Sequence, residues 1–364
     1  YDTLRDHTPV ALFPREIDYT EWQTLRRYPI LNWNMGMTYR LRERDERVYP
    51  QGELGRRTIG QVGDKGNYGV EYVLRDVLEG RDGKARRQRI ARGFYGRVVG
   101  GDNSEPEDGL DVVTTLDLEM QDVADRALRR QLEAQNALWG TALVMEVATG
   151  DLLAMANLSR TKSGAYAEVK NHALSSRMEP GSTFKLAALL ALVDDAGMSL
   201  DETFDTGNGA RVKVGRTTVQ DSHGLPPLNL KDAVAHSSNV FFARAVYETY
   251  KDDPERYVDY LRHLHLDRTV GLEEFGAVAP IFPAPGMKIW YPDVSIVNMG
   301  YGYAIELTPL HTLTLYNAVA NDGCMVAPRL VREIRRGGEV VERPERRVLV
   351  DKICSSSALR KVRE

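Results

Sequence analysis

The sequence predicts an α+β protein in which an N-terminal module precedes a larger domain whose sheet is covered by helices. Three observations indicate this class. Residues 110–158 have the pattern of a strand, an amphipathic helix and a hairpin in succession. Several apolar helical patterns follow from residue 182 onwards. Short strand-like runs separated by Gly and Pro occupy the first 100 residues.

The composition fits a globular protein of this kind. The chain has 364 residues, of which 42% are hydrophobic and 27% are charged, and this length is enough for two or three domains with hydrophobic cores. The net charge of −4, from 48 basic and 52 acidic residues, argues against nucleic acid as the main partner. Two cysteines and seven scattered histidines supply no cluster of metal ligands, so we expect no metal site.

Residues 1–108 are interpreted as a non-catalytic module. The stretches 47–63 and 68–83 contain strand-like alternation with regular turn residues, which favours an α+β or β-rich fold with a modest core. The polar stretch GGDNSEPEDG, residues 100–109, is rich in turn formers and is typical of a linker. We therefore predict a domain boundary near residue 108 and a second domain over residues 109–364.

The second domain begins with two regular patterns. Residues 110–135 predict a strand and then an amphipathic helix. The apolar positions that recur at helical spacing in this helix are Met120, Val123, Ala124, Leu128 and Leu132. Residues 140–158 predict a hairpin, in which two apolar strands flank the turn 148–151.

The stretch EPGSTFKLAALLALV, residues 179–193, begins an apolar helical pattern with Ser182 and Lys185. Residues three apart share one face of a helix, so the hydroxyl and the amine are expected to meet. A serine becomes a nucleophile when a base takes its proton, and lysine is such a base only if its pKa of about 10.4 is lowered. The alternative is an ordinary N-cap serine. A second Ser-x-x-Lys unit, Ser159 to Lys162, is interpreted as a chance match in a loop.

A second polar unit begins another apolar helical pattern. Within KDAVAHSSNVFFARAVYETY, residues 231–250, Ser237 and Asn239 form a Ser-x-Asn unit. The hydroxyl can relay a proton, and the carboxamide can hydrogen-bond a peptide substrate or a lysine. Considered alone, this stretch also fits an ordinary polar entry into a helix.

Together these stretches resemble the serine transpeptidase and β-lactamase superfamily, whose signature is Ser-x-x-Lys, Ser-x-Asn and Lys-Thr-Gly. Within it, the chain is most similar to the class B penicillin-binding proteins, the monofunctional cell-wall transpeptidases of bacterial division or elongation. Two N-terminal stretches, RVYPQGELGRRTIGQVG and GVEYVLRDVLEGRDG, resemble the pedestal module of that class. Five later stretches resemble successive blocks of its catalytic domain: GLDVVTTLDLEMQDVADRAL, ALVMEVATGDLLAMAN, EPGSTFK, HSSNVFF and MGYGYAIELTPLHTLTLYNAVANDG.

The resemblance implies a transpeptidase domain of β-lactamase-like fold, with a central antiparallel sheet flanked by helices. It makes Ser182 the acylated nucleophile, Lys185 its general base, Ser237 a proton shuttle and Asn239 an amide that orients the substrate. The implied substrate is the D-Ala-D-Ala end of a peptidoglycan stem peptide, and β-lactams, which imitate that dipeptide, should stall the enzyme as the acyl form. No metal or organic cofactor is implied.

The same resemblance implies a location and partners. It places the catalytic domain on the periplasmic or extracellular side, with a membrane anchor upstream and a membrane glycan polymerase as a partner. No run of residues reaches the roughly 18–20 apolar positions that span a bilayer. The chain begins with Tyr1 rather than methionine, so we expect the natural N-terminus to lie further upstream.

The sequence departs from the family pattern at the third motif, because it contains no Lys-Thr-Gly. We expect the C-terminal strands of the domain to be missing and its activity to be reduced. A β-lactamase or β-lactam sensor of the same superfamily, a D,D-carboxypeptidase and a catalytically silent cell-wall scaffold are the alternatives. The N-terminal module fits the first three less well, whereas a true absence of the third motif would favour the scaffold.

Overall fold

The computed structural model describes residues 17, 19–25, 27–28, 48–64, 66–84, 87–91, 94–97, 104 and 107–364. The chain divides into two compact units, Tyr1–Pro50 and Gln51–Glu364. In the first unit, helix α1 spans Tyr19–Leu25. The boundary near residue 108 stays a prediction, and most of the predicted linker lies outside the described residues.

The second unit begins with short elements. In chain order these are α2 (Arg56–Ile59), α3 (Gly69–Val73), α4 (Arg75–Leu78) and the antiparallel strands β1 (Arg87–Ala91) and β2 (Phe94–Arg97). The prediction of strand-like structure over residues 68–83 was wrong, because α3 and α4 occupy this stretch. Its apolar residues Val70, Val73, Leu74 and Val77 recur at the spacing of a helix rather than alternating.

The next elements form a sheet with one helix against it. They are β3 (Asp111–Thr114), α5 (Leu118–Ala134), β4 (Trp139–Met145), β5 (Leu152–Arg160), β6 (Tyr166–Ala167) and α6 (His172–Ser175). Strands β4, β5 and β6 are antiparallel neighbours in that order. The predicted hairpin is confirmed: its ladder runs from the pair Trp139 and Ser159 to the pair Met145 and Leu152.

Helix α5 is also confirmed, but its buried face differs from the predicted stripe. Ala124 and Leu132 are buried as expected, whereas Met120 and Val123 are 44% and 59% exposed. Gln121 takes the central buried position, because its Oε1 accepts the backbone N–H of Met155 on β5 at 2.7 Å. A polar residue that satisfies a strand amide thus displaces two apolar residues from the interface.

The stretch that follows contains the main hydrophobic core. Residues Gly181–Phe184 form a 3₁₀ turn that continues directly into α7 (Lys185–Leu190) and then into a π-helical turn, Ala191–Asp195. The elements after it are β7 (Thr203–Phe204), β8 (Val212–Val214), β9 (Thr217–Val219), β10 (Leu228–Asn229), α8 (Leu230–Ala235), α9 (Asn239–Tyr250) and α10 (Pro254–His263). The buried faces of α7, α9 and α10 pack into this core.

The C-terminal part of the unit contains a strand that pairs with β3. It contains α11 (Ser295–Met299), α12 (Pro309–Ala320), β11 (Met325–Val326), β12 (Val331–Arg336), β13 (Glu339–Glu342), β14 (Val348–Val350) and α13 (Ser356–Arg363). Strand β12 pairs antiparallel with both β13 and β3. Antiparallel sheets and helices therefore alternate through the unit, which confirms the predicted α+β class. In the part of the chain described above, no helix combines the length and apolarity needed to cross a bilayer.

The carboxyl group of Glu168 joins the segment around α2 to the first sheet. Its Oε2 accepts the backbone N–H of Arg57 at 2.7 Å, and its Oε1 accepts that of Asn157 on β5 at 3.4 Å. Burial raises the pKa of Glu168 from 4.5 to about 7, although the two backbone donors partly oppose this shift. The carboxyl is therefore held in a site that favours its neutral form.

This raised pKa predicts a pH-dependent stability. The pKa of Glu168 is higher in the folded chain than in the unfolded chain. Its stabilising contribution is therefore fully present below about pH 4.5 and is lost as the pH rises through about 7. The lost contribution is on the order of 3 kcal/mol, from 1.36 kcal/mol per pKa unit. In Glu168→Gln the loss should be absent, so urea unfolding of both proteins between pH 4.5 and 8 should show a difference that grows with pH. The exposed Glu133→Gln is the control, and parallel curves for wild type and Glu168→Gln would contradict the prediction.

Candidate active site

Ser182 lies in the 3₁₀ turn Gly181–Phe184, one turn before Lys185 opens α7. The serine is exposed, whereas Lys185 is only 6% exposed. The residue that caps this turn is Pro180, and no side chain donates or accepts a capping hydrogen bond there. The hydroxyl of Ser182 is therefore not an N-cap, which was the alternative to a catalytic role. The α-helix begins three residues later than the sequence predicted.

The Ser-x-Asn unit lies between α8 and α9. Ser238 is the N-cap of α9, and its Oγ accepts the backbone N–H of Phe241 at 3.0 Å. Asn239 is the first residue of that helix. Ser237, just before the cap, adopts a left-handed backbone with φ of 52°, which is uncommon for a residue with a side chain. This turn directs the backbone and side-chain oxygens of Ser237 to the same side as the Asn239 carboxamide.

The four predicted site residues meet at the amine of Lys185. Its Nζ lies 3.1 Å from Ser182 Oγ and 3.0 Å from Ser237 Oγ. It also lies 2.6 Å from the Ser237 carbonyl oxygen and 2.7 Å from Asn239 Oδ1. The structure thus brings all four residues together, although Ser182 and Asn239 are far apart in the chain.

The four oxygens differ in what they can do for the amine. The Ser237 carbonyl and Asn239 Oδ1 can only accept, so they take two N–H groups of Lys185. A neutral amine has two such donors and one lone pair, which is then left for the proton of a neighbouring hydroxyl. The remaining neighbours are the hydroxyls of Ser182 and Ser237. The arrangement therefore suits an amine that takes a proton from one hydroxyl and returns it through the other.

The environment of Lys185 favours the neutral form of its amine. Burial lowers the pKa of Lys185 from 10.5 to about 8, and the carboxylate of Asp221 opposes this by attracting the charged form. The centroid of the apolar Phe242 ring lies 5.9 Å from Nζ. A substantial fraction of the amine is consequently neutral near pH 8, as a general base requires.

Asp221 is a site residue that the sequence analysis missed. It is 7% exposed and lies directly behind the Ser-x-Asn turn. Its carboxylate accepts from Ser238 Oγ at 2.7 Å and from the backbone N–H groups of Asn239 at 2.5 Å and Val240 at 3.2 Å. A lone aspartate in the polar stretch QDSHG has no periodicity or motif spacing, so nothing in the sequence marked it.

Backbone contacts with the segment 302–307 hold the turn that carries Ser182. The N–H of Gly181 donates to the Gly302 carbonyl at 2.9 Å, and Met178 pairs with Leu307 as an isolated antiparallel bridge. Gly302 has φ of 91°, and a Cβ built on it would lie 1.9 Å from the Gly181 carbonyl oxygen. Only glycine fits this close approach.

The second Ser-x-x-Lys unit forms no comparable site. Ser159 Oγ lies 2.7 Å from Nε2 of His172, at the end of β5. Lys162 is exposed in the turn between β5 and β6. The predicted loop was wrong for Ser159, which lies in β5, but the interpretation of this unit as a chance match agrees with its geometry. Over the described ranges, no group of three or more His, Cys, Asp or Glu side chains is placed to hold a metal ion.

Comparison with known proteins identifies a family model and several relatives that this chain matches. The family model described as "Penicillin binding protein transpeptidase domain" matches residues 140–364. "Probable peptidoglycan D,D-transpeptidase PenA" of Neisseria meningitidis is 27% identical over 292 residues, which cover 77% of this chain and 48% of that protein. "Penicillin-binding protein PbpB" of Mycobacterium tuberculosis is 30% identical over 305 residues, which cover 79% of this chain and 43% of that protein.

The fold has a counterpart among solved structures. Penicillin-binding protein 3 of Mycobacterium tuberculosis, solved in complex with ampicillin, superposes with a TM-score of 0.73 at 27% identity. The match covers 88% of this chain and 67% of that one. The chain spans about half the length of the curated relatives that it matches.

The contact between Gly181 and Gly302 predicts the effect of a methyl group. Gly302→Ala should displace the turn of Ser182 and strongly reduce the reactivity of that serine, because the new Cβ would meet the Gly181 carbonyl. Gly164→Ala is a matched control: Gly164 has φ of 90°, and no atom lies within 4 Å of its built Cβ. Both changes carry the strain of a positive φ, roughly 1–2 kcal/mol, so their difference isolates the clash. Equal acylation rates in the two variants would contradict this account.

The lowered pKa of Lys185 predicts a pH profile for Ser182. Its rate of reaction with an activated ester should rise with pH and level off above about 8, as Lys185 loses its proton. The rise should disappear in Lys185→Arg, because a guanidinium stays charged. Mass spectrometry of the intact chain between pH 6 and 10 measures both rates. Lys162→Arg, in the second Ser-x-x-Lys unit, should keep the wild-type profile, and a profile without a midpoint in the wild type would refute the role of Lys185.

Proposed function

We propose, because this chain belongs to the penicillin-binding protein transpeptidase family, that it is a peptidoglycan D,D-transpeptidase that works through a serine acyl-enzyme. The expected class B assignment is supported by relatives that are named as D,D-transpeptidases and by the likeness to penicillin-binding protein 3. One observation carries the proposal: the buried amine of Lys185 contacts the hydroxyls of Ser182 and Ser237 and the carboxamide of Asn239 at once.

The first half-reaction acylates Ser182. As neutral Lys185 accepts the hydroxyl proton, Ser182 Oγ attacks the carbonyl carbon of the penultimate D-alanine of a stem peptide. A C–O bond forms and the C–N bond of the D-Ala-D-Ala peptide breaks. The proton passes from Lys185 through the hydroxyl of Ser237 to the departing nitrogen. D-alanine therefore leaves with a neutral amino group. Because Oδ1 of Asn239 contacts Lys185, its Nδ2 group would donate to the substrate backbone and hold it.

The second half-reaction reverses the direction of proton flow. An amine from a neighbouring stem peptide attacks the acyl carbon and loses a proton to the Ser237 and Lys185 relay. The C–O bond to Ser182 breaks, the serine recovers its proton, and a peptide cross-link is formed. The same relay serves both halves because the amine of Lys185 contacts both hydroxyls.

The proposed partners follow from this chemistry. A β-lactam presents a strained amide that Ser182 attacks in the same way, and its ring keeps the leaving nitrogen attached, so the acyl-enzyme persists. Peptidoglycan lies outside the cytoplasm, so the catalytic domain would work on the periplasmic or extracellular side, anchored by a membrane segment. A membrane glycan polymerase that supplies fresh stem peptides is the natural protein partner.

The proposal is tested by labelling with a fluorescent penicillin, followed by digestion and mass spectrometry. The label should be found on the peptide that contains Ser182 and be absent in Ser182→Ala. Ser159→Ala, which changes the serine of the other Ser-x-x-Lys unit, should label like the wild type. Ser237→Ala should label about 10²- to 10⁴-fold more slowly, the usual contribution of general acid–base catalysis.

The same experiment separates a transpeptidase from two of the alternatives, a β-lactamase and a silent scaffold. Slow release of the label fits a transpeptidase, whereas rapid release as a hydrolysed penicillin would indicate a β-lactamase. A label on another serine would refute the site. A folded wild type that takes up no label would instead favour a silent scaffold.

A further inference from the structure

The carboxylate of Asp221 is buried without an arginine or lysine partner at hydrogen-bond distance among the described residues. Its charge is instead compensated by three donors from a single turn. They are the hydroxyl of Ser238, at 2.7 Å, and the backbone N–H groups of Asn239 and Val240, at 2.5 and 3.2 Å. A buried carboxylate needs such donors, and hydrogen bonds to a charged acceptor are stronger than those to a neutral one.

These three bonds fix the part of the chain that contacts Lys185. The two N–H groups belong to the first turn of the twelve-residue helix α9, where the helix dipole also favours a negative charge. On the other side of the turn, the N–H groups of Ser237 and Ser238 donate to carbonyls of α8 at 3.0 Å each. Ser237 is thereby held between two anchored ends in its left-handed conformation. In this conformation both of its oxygens reach the amine.

Asp221 also acts on the amine through its charge. Lys185 is surrounded by the oxygens of Ser182, Ser237 and Asn239 and by the Phe242 ring. None of these neighbours carries a charge near neutral pH. Asp221 is the charged group among the described residues that acts on Lys185, and it favours the protonated amine against the effect of burial.

We propose that Asp221 is a positioning residue for the proposed acyl transfer: it holds the Ser237–Asn239 turn against the amine of Lys185 and supplies the negative charge behind it. The proposal rests on the proposed function, because the turn matters only if Ser182 is acylated. It assigns to Asp221 a role beyond capping a helix. A cap stabilises α9, whereas a positioning residue also sets the rate and the pH dependence of the reaction.

Two variants separate these roles. In Asp221→Asn, the amide oxygen can still accept from the N–H groups of Asn239 and Val240, but the charge is lost. In Asp221→Ala, the acceptors and the charge are both lost. Asp253→Asn is the matched control, because Asp253 caps the neighbouring helix α10 by accepting from Arg256 N–H at 3.3 Å, outside the site.

The first measurement is the acylation rate by fluorescent penicillin as a function of pH. Asp221→Asn should keep most of the high-pH rate, and its midpoint should move to lower pH, since the carboxylate that favours protonated Lys185 is gone. Asp221→Ala should show the same shift of the midpoint and should acylate about 100-fold more slowly on the high-pH plateau, the typical cost of a misplaced catalytic group. Asp253→Asn should match the wild type in rate and midpoint.

The second measurement does not depend on catalysis. Hydrogen exchange of the Asn239 and Val240 amides should accelerate in Asp221→Ala and stay slow in Asp221→Asn and Asp253→Asn. A wild-type midpoint in Asp221→Asn together with wild-type acylation in Asp221→Ala would overturn the proposal and leave a simple cap. If the wild type itself is not acylated, the proposed function fails. The exchange data then still decide whether Asp221 holds the turn.

Discussion

The amine of Lys185 is the constraint on which the site depends. A lysine side chain that is buried to this extent is unfavourable as a cation unless its N–H groups find acceptors. The fold supplies two obligatory acceptors, the Ser237 carbonyl and the Asn239 carboxamide, and then places two hydroxyls against the remaining side of the nitrogen. Burial favours the neutral amine, and the two hydroxyls supply the proton that this amine can accept.

Several separate parts of the chain meet this constraint. The 3₁₀ turn carries Ser182, the start of α9 carries Ser237 and Asn239, and Asp221 fixes α9 from behind. The turn of Ser182 is in turn held by backbone hydrogen bonds to residues near Gly302. Behind both elements, buried residues such as Leu190 and Phe241 belong to one hydrophobic core. The geometry at the amine is therefore a product of tertiary packing, since no single segment contains more than two of its parts.

This division explains what the sequence could predict. The hairpin β4–β5 and the Ser182–Lys185 contact come from local periodicity or spacing, and both are found in the structure. The face of α5 was predicted only in part from apolar spacing, because one buried position is taken by Gln121, whose Oε1 accepts a backbone N–H of β5. Asp221 reaches Ser238 across 17 positions that include β10 and α8, and such a tertiary contact leaves no periodic signal. Composition and pattern thus located Ser182 and Lys185, but not Asp221, which accepts hydrogen bonds from the Ser-x-Asn turn.

The winding of the segment 181–195 changes along its length, from a 3₁₀ turn to α-helix and then to a π-helical turn. In a 3₁₀ turn three residues complete one full revolution, so a side chain stands directly above the one three positions earlier. In a regular α-helix the same interval falls about 60° short, at 3.6 residues per revolution. Overwinding at the serine end therefore aligns Oγ with Nζ along the axis. The π-helical turn at the far end carries the buried residues Ala191, Leu192 and Val193 of the same hydrophobic core.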